Sequence, residues 1–228
     1  MYLTRKRDRP DFENPLLLGF SGKSKSGKSI SAEYIRHKYG GIALAFADAL
    51  KADCFDLNYI RGRDLDAFLS YARERGYDFD FHALPRANMV NPKRADKIAW
   101  VNRNKEDFRS ILQVYGDFKR DGNPDFFIER TLLAINRAVD DGQIVICVDD
   151  VRYINEVDAI VSIGFNIVRV QAADDVRLAR GASQEHHESE TQLDSYYHSF
   201  TVANNLEPHD LYSQLDEVVE QILNKDYE

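Results

Sequence analysis

The feature that most constrains this chain is a segment of eight residues made only of glycine, serine and lysine. It consists of Gly22, Lys23, Ser24, Lys25, Ser26, Gly27, Lys28 and Ser29. These residues satisfy every fixed position of the pattern G-x-x-x-x-G-K-[ST]. An apolar run over residues 16–20 precedes the segment, and helical spacing over residues 30–39 follows it until Gly40. This order predicts a buried strand, a phosphate-binding loop and a helix.

Each fixed position of the loop has a physical purpose. The glycines let the backbone turn so that successive N–H groups converge on phosphate oxygens, and the following helix adds its positive end. Lys28 is expected to reach the β- and γ-phosphates of ATP, and the Ser29 hydroxyl to ligate Mg²⁺. Lys23 and Lys25 are expected to be solvated charges at the mouth of the loop. The alternative is a solvated Gly/Ser-rich linker, but the flanking strand and helix favour a nucleoside triphosphate site.

Short apolar runs alternate with helical stretches along the chain. The runs cover residues 16–20, 42–46, 144–148 and 166–170. The helical stretches include residues 30–39, 127–139 and 157–163, and an amphipathic helix over residues 211–223. This alternation predicts an α/β fold with a parallel sheet flanked by helices and right-handed crossovers. We expect one domain over residues 1–228.

Residues 55–110 depart from this alternation. They are rich in Arg, Asp and Tyr and have weak periodicity. Their apolar content looks too thin for an independent core, so we interpret them as a mainly helical insertion over the carboxyl edge of the sheet.

Charge and cysteine content narrow the function classes. The chain has 228 residues with a net charge of −8 and two cysteines. Seven acidic residues and one lysine follow position 206, so the acidity lies mainly in the terminal helix and tail. We expect no stable nucleic-acid binding, no membrane span and a cytoplasmic location.

An apolar strand followed by carboxylates resembles the Walker B pattern. Asp149 and Asp150 follow the run over residues 144–148, and an aspartate at such a position orients Mg²⁺. A pair of turn or capping aspartates is the alternative. Arg152 can present its guanidinium to a substrate phosphate at the same edge, unless it forms a salt bridge with Glu156.

The segment after the fourth apolar run has the features of a mobile lid, which we expect over residues 174–190. Arg177 and Arg180 are three residues apart, so one helical face can present both to the transferring charge. Gly181 supplies a hinge. The alternative is a solvated helix in which these arginines pair with Asp174 and Asp175.

Several segments together resemble phage deoxynucleoside monophosphate kinases. They are residues 45–51 (F-A-D-x-L-K), 112–117 (L-Q-x-x-G, with Asp117 in place of the usual Thr), 124–128, 148–156 (D-V-R-x-x-N-E), 187–190 (H-x-S-E) and 202–205. Residues 188–194 are also similar to the E-S-E-x-x-L-D element of animal-type phosphomevalonate kinase. The resemblance covers islands between residues 16 and 205 and omits the insertion.

The resemblance implies a P-loop kinase fold and phosphoryl transfer from ATP, with Mg²⁺, to a deoxynucleoside 5′-monophosphate. It would place a phage-encoded chain in the host cytoplasm. It also implies an acceptor site, for which Asp48, Lys51, Arg130 and Arg152 are candidates. Lys51 and Arg130 as ordinary surface charges are the alternative.

Other readings stay open from the sequence. The acceptor could instead be phosphomevalonate or another small phosphorylated metabolite. A nucleotide-binding module whose ATP state controls a partner or DNA is a third hypothesis. The terminal amphipathic helix can dock on the core or on another subunit of a homodimer. His186 and His187 fit a solvated or capping role better than a metal site.

Overall fold

The computed structural model describes residues 14–57, 63–80, 84–85, 87, 89, 91–182, 191–196 and 198–225. The chain divides into two compact units, one from residues 1–45 and 132–228 and the other from residues 46–131. No helix in the described part of the chain is long and apolar enough to cross a membrane.

Within the described residues, the first unit contains a five-stranded sheet. Its strands are β1 (Leu16–Ser21), β2 (Ile42–Ala45), β3 (Val145–Val151), β4 (Asn166–Gln171) and β5 (Phe200–Ala203). Their order is β2-β3-β1-β4-β5, and every pairing is parallel. The predicted α/β fold with a parallel sheet is confirmed. The strand that leads into the phosphate loop, β1, lies at the centre.

Helices of the first unit connect and flank these strands. They are α1 (Lys28–Tyr39), α7 (Ile154–Val161), α8 (Asp174–Ala179) and α9 (Pro208–Lys225), and α6 (Phe126–Asp140) begins in the second unit and ends in the first. Gly40 ends α1 in a left-handed conformation, with φ 76° and its N–H donating to the Arg36 carbonyl. This is the C-terminal role for which glycine is favoured.

The terminal helix α9 packs on the core of its own unit. Its apolar side chains lie in one cluster with those of β1 and α1; the α9 members are Leu211, Leu215, Val218, Val219 and Ile222. The amphipathic pattern therefore corresponds to a face buried within this chain, the first of the two alternatives that the pattern left open.

The second unit is helical in its described residues. It contains α2 (Ala47–Leu57), α3 (Arg63–Glu74), α4 (Arg94–Arg103), α5 (Lys105–Gly122) and the start of α6. This agrees with the prediction of a mainly helical segment.

The buried apolar residues of this region belong to one cluster with residues of the helices on either side of it. A cluster of buried residues runs from Ala49 to Phe127, and Phe68, Phe108 and Val101 are fully buried in it. About half of the cluster comes from residues outside 55–110, on α2, α5 and α6. Residues 55–110 therefore do not form a core alone, because the buried faces that complete it lie on helices on either side of them.

Candidate phosphate-binding site

Residues Gly22 to Gly27 form the loop between β1 and α1, and Lys28 and Ser29 are the first two residues of α1. Gly22 and Gly27 have φ angles of 146° and 113°, which a side chain would strain. A Cβ atom on Gly22 would lie 2.3 Å from the Val170 carbonyl oxygen, and one on Gly27 would lie 2.2 Å from Nδ2 of Asn204. Both glycines are thus required by backbone conformation and by close packing.

Lys28 is buried inside the loop that precedes it. Its Nζ donates to the carbonyl oxygens of Gly22 at 2.7 Å and Lys23 at 3.0 Å. Nζ also lies 3.2 Å from Oδ1 of Asp150. The hydroxyl of Ser26 is buried and has no hydrogen-bond partner among the described residues, so a ligand oxygen could satisfy it. The loop therefore offers an ammonium and an unsatisfied hydroxyl to a phosphate.

The two aspartates lie inside β3, not after it as the apolar run suggested. The strand continues to Val151 because it bulges against β1. Gly19 pairs with Val148, but Ser21 pairs with Val151, so β3 contains one more residue than β1 over this interval. Asp150 has a left-handed φ of 63°. A bulge of this kind bends the strand and redirects a side chain.

Asp150 connects two cations. Its Oδ1 faces the Lys28 ammonium, and its Oδ2 accepts a hydrogen bond of 2.8 Å from Nε of Arg152. Burial alone would raise the pKa of Asp150, but the nearby Arg152 guanidinium and Lys28 ammonium lower it to about 2. The carboxylate is therefore ionised at neutral pH.

Glu156 has a structural role next to Arg152. It is buried, and its Oε2 accepts from the backbone N–H groups of Arg152 at 2.8 Å and Tyr153 at 3.1 Å. Tyr153 is the N-cap of α7 and Glu156 is its third helical residue, the position from which a Glu commonly accepts the N-cap N–H. The Arg152 guanidinium meanwhile binds Asp150.

The two predicted lid arginines contact the surroundings of the phosphate loop. Arg177 donates to the Ser24 carbonyl at 3.1 Å and to Asp174 at 2.7 Å, so it makes both the loop contact and the alternative ion pair. Arg180 lies just beyond α8 and donates to the Asn204 carbonyl at 3.0 Å. The remaining proposed lid, residues 183–190 with His186 and His187, lies outside the described residues.

The other loop residues differ in exposure. Lys25 and Ser29 are exposed. Lys23 is not simply solvated, because its Nζ lies 3.4 Å from Oδ2 of Asp194. Asp194 also pairs with the buried Arg169 of β4.

Asn204 and Asp194 were not predicted as site residues. Asn204 is buried, and its Nδ2 donates to the Ser26 carbonyl at 2.7 Å. The available sequence signals were an asparagine after a closing strand and the E-S-E-x-x-L-D element. Neither of them specifies a partner 170 or more residues away.

The acceptor candidates other than Arg152 belong to the second unit. Lys51 Nζ lies 3.8 Å from Oδ1 of Asp48, one turn earlier on α2. Arg130 donates to both carboxylate oxygens of Asp53 at 2.8 and 2.7 Å, and its guanidinium stacks 4.4 Å from the Phe126 ring centre. Both cations are held by acidic partners, and the Arg130 side chain is 42% exposed.

The oxygen atoms near the loop suit Mg²⁺. In the described part of the chain, no group of three or more His, Cys, Asp or Glu side chains could hold a metal ion alone. Mg²⁺ commonly takes one or two protein oxygens and completes its shell with water and substrate phosphates. Ser29 on α1 and the half-buried Asp149 on β3 offer such oxygens. The residues present therefore fit Mg²⁺ bound together with a nucleotide.

Comparison with known proteins agrees on the fold. No protein-family model and no curated protein matches the chain. TT1252 from Thermus thermophilus, a solved structure, is similar with a TM-score of 0.51 and 17% identity, over 92% of this chain and 99% of that one. The likeness to TT1252 concerns the fold alone.

Two further solved structures are more distant. A sugar kinase from Janibacter has a TM-score of 0.37 and 15% identity, covering 92% of this chain and 95% of its own. A gluconokinase from Sinorhizobium meliloti has a TM-score of 0.40 and 15% identity, with 92% and 97% covered. Likeness at this level supports no conclusion about activity, which has to be argued from the site.

Proposed function

We propose that the chain transfers the γ-phosphoryl group of ATP to a deoxynucleoside 5′-monophosphate, giving the diphosphate and ADP. The observation that carries this proposal is that a second cation, Arg152, is held beside the loop lysine by the carboxylate of Asp150. A module that only binds nucleotide needs the phosphate loop. A transferase also needs positive charge where the phosphoryl group moves.

Donor binding would use the loop directly. The nucleotide phosphates would lie against the backbone of Gly22–Ser29 and the positive end of α1. Lys28 would exchange its two carbonyl partners for β- and γ-phosphate oxygens. When bound, Mg²⁺ would neutralise phosphate charge and would be held by Ser29 and by Asp149 or Asp150.

During transfer, an acceptor phosphate oxygen bonds to the γ-phosphorus while the bond to the β–γ bridging oxygen breaks, and ADP leaves. The protein has little covalent chemistry to perform, so positioning and charge stabilisation dominate. Lys28 and Arg152 supply charge on the donor side, and Arg177 and Arg180 are proposed to add theirs from the lid. Water has to be excluded for the transfer to compete with hydrolysis.

For the acceptor we propose Asp48, Lys51 and Arg130 of the second unit and, in the first unit, Arg152. The support is chemical and comes from the resemblance. Lys51 and Arg130 are cations suited to a monophosphate, and residues 45–51 resemble the F-A-D-x-L-K element of deoxynucleoside monophosphate kinases. To bind the acceptor phosphate, Lys51 would exchange its partner Asp48, and Arg130 its partner Asp53, for ligand oxygens.

The test is ADP release measured across the deoxynucleoside monophosphates, small phosphorylated metabolites including phosphomevalonate, and no acceptor. We expect release that depends on at least one deoxynucleoside monophosphate. If only a different phosphorylated metabolite is turned over, that metabolite is the acceptor and the deoxynucleoside monophosphate proposal is wrong. Slow hydrolysis unaffected by any acceptor, with salt-sensitive DNA binding, would favour the regulatory module instead.

The variant Lys28→Ala tests whether phosphoryl transfer depends on the loop lysine. It should lower kcat by about 10²–10³-fold, the usual cost of losing a group that stabilises transition-state charge. The fold should persist, because Asp150 keeps its pairing with Arg152. Circular dichroism and the thermal midpoint check folding. Normal transfer by folded Lys28→Ala protein would disprove the proposed role of the loop.

A further inference from the structure

Asp150 occupies a central position among the charged groups of the first unit. The Lys28 ammonium lies on one carboxylate oxygen at 3.2 Å, and the Arg152 guanidinium on the other at 2.8 Å. Lys28 begins α1, and Arg152 follows the end of β3. One carboxylate thus lies between two cations from different elements.

This bridge depends on the bulge in β3. The extra residue between the pairs Gly19–Val148 and Ser21–Val151 leaves Asp150 with a φ of 63°. Regular strand geometry would alternate side chains strictly between the two faces of the sheet. The bulge interrupts that alternation and turns one carboxylate toward the loop lysine. Asp and Asn are the side chains that tolerate the left-handed conformation best.

A carboxylate that already pairs with two cations binds a divalent metal ion less favourably, because the metal would have to compete with both of them. Asp149 precedes the bulged residue and keeps the regular register, opposite Ala45 of β2. The two neighbouring aspartates therefore differ in backbone conformation, although their side chains are chemically identical.

We propose that Asp150 is a positioning residue, which holds the Lys28 ammonium and the Arg152 guanidinium together at the transferring phosphoryl group, and that Asp149 is the carboxylate that serves Mg²⁺. This division of labour rests on the proposed phosphotransferase function. It predicts that removing each carboxylate produces a different defect.

The first experiment compares Asp150→Asn with Asp149→Asn. Asparagine keeps the size of the side chain and its tolerance of positive φ but removes the charge. Asp150→Asn should lower kcat 10- to 100-fold while the KM for ATP changes less than threefold. A double-mutant cycle tests whether Asp150 acts through Arg152, because the effects of two substitutions in residues that act as one unit are not additive. Arg152→Ala should cost about as much alone as together with Asp150→Asn.

The second experiment measures ADP affinity by calorimetry with Mg²⁺ and with a chelator. We expect Mg²⁺ to strengthen ADP binding in wild type and in Asp150→Asn, and to lose this effect in Asp149→Asn. With the chelator present, the affinity of Asp150→Asn for ADP should equal or exceed that of wild type, because a negative charge beside the phosphates is removed. This readout needs no turnover, so it decides which aspartate serves Mg²⁺ even if no acceptor is phosphorylated. Absence of phosphoryl transfer to every acceptor would overturn the proposed function and the positioning role with it, but not the metal assignment.

Asp150→Gly separates charge from folding. Glycine accommodates the backbone conformation without strain, so this variant should be folded and as slow as Asp150→Asn. A kcat within twofold of wild type in folded Asp150→Asn would overturn the positioning role. So would fully multiplicative effects of the Asp150 and Arg152 variants. Loss of the Mg²⁺ effect in Asp150→Asn but not in Asp149→Asn would reverse the metal assignment.

Discussion

At the scale of single residues, Asn204 shows how much one side chain can organise. Its side-chain Nδ2 donates to the Ser26 carbonyl, and Arg180 donates to the backbone carbonyl of the same residue. Its Nδ2 occupies the space that a Cβ atom on Gly27 would need. The amide is buried, and a buried hydrogen bond leaves an unsatisfied group when one partner is removed.

We predict that Asn204→Ala weakens ADP binding about tenfold, because one lost hydrogen bond with an unsatisfied carbonyl costs roughly 1–2 kcal/mol. Calorimetric titration measures this affinity. The matched control is Asn205→Ala, which breaks a hydrogen bond of 2.7 Å to the N–H of Ala173, the N-cap residue of α8, and not to a loop residue. Its ADP affinity should stay within about twofold of wild type. Equal weakening by both variants would argue against a specific role for Asn204.

At the scale of elements, α1 and α9 are joined by a polar cluster as well as by their apolar faces. Asp216 of α9 accepts from the hydroxyls of Tyr34 and Tyr39 and pairs with Lys38 at 2.7 Å. The Tyr34 and Tyr212 rings stack 4.1 Å apart. Burial raises the pKa of Tyr39 from 10.0 to about 12, and the Asp216 charge adds to this effect.

This shift predicts an alkaline loss of stability. The unfolded chain releases the Tyr39 proton near its ordinary pKa of 10.0, whereas the folded chain keeps it until about pH 12. The stabilisation from Tyr39 is therefore complete below pH 10 and lost as pH rises through about 12. Urea unfolding between pH 8 and 12 measures it. In Tyr39→Phe the free energy of unfolding should fall less steeply above pH 10, and a slope equal to wild type would contradict the assignment.

At the scale of the whole molecule, each of the two units has its own cluster of buried apolar residues. In the second unit, Phe68 is fully buried, with its ring centre 5.1 Å from that of Tyr115 and 5.8 Å from that of Phe118. Aromatic side chains contribute strongly to such cores. The phosphate loop belongs to the first unit, so core stability in the second unit and nucleotide binding can be separated by mutation.

Phe68→Ala should lower the free energy of unfolding of the second unit by about 3–5 kcal/mol, the usual cost of a large cavity. Urea unfolding followed by circular dichroism measures the change. ADP affinity should remain close to that of wild type under conditions where the protein is folded. Tyr77→Ala, at a side chain that is 42% exposed, should cost less than about 1 kcal/mol. A similar small cost for Phe68→Ala would contradict the buried aromatic core.

Local sequence patterns predicted the phosphate loop, four of the strands and the terminal helix, because these depend on spacing within a few residues. They did not predict the bulge at Asp150, because the bulge arises from the pairing of β3 with β1, which lies more than a hundred residues earlier in the chain. They also missed the Asn204 contact to Ser26. The extent of the apolar core around Phe68, Val101 and Phe108 could not be predicted from residues 55–110 alone, because its members are widely spaced among polar residues and helices outside the segment complete it.

The central place of β1 has a consequence for how the chain is made. Leu16 pairs with Val145 and Leu18 with Asn166, so both neighbours of the first strand are synthesised long after it. In a chain leaving the ribosome, this apolar strand is still unpaired when all residues of the buried cluster from Ala49 to Phe127 have already been synthesised. Segments fold as they emerge, and late, distant pairings are slow. We therefore expect the second unit to collapse first and the strand before it to need protection from aggregation until β3 and β4 arrive.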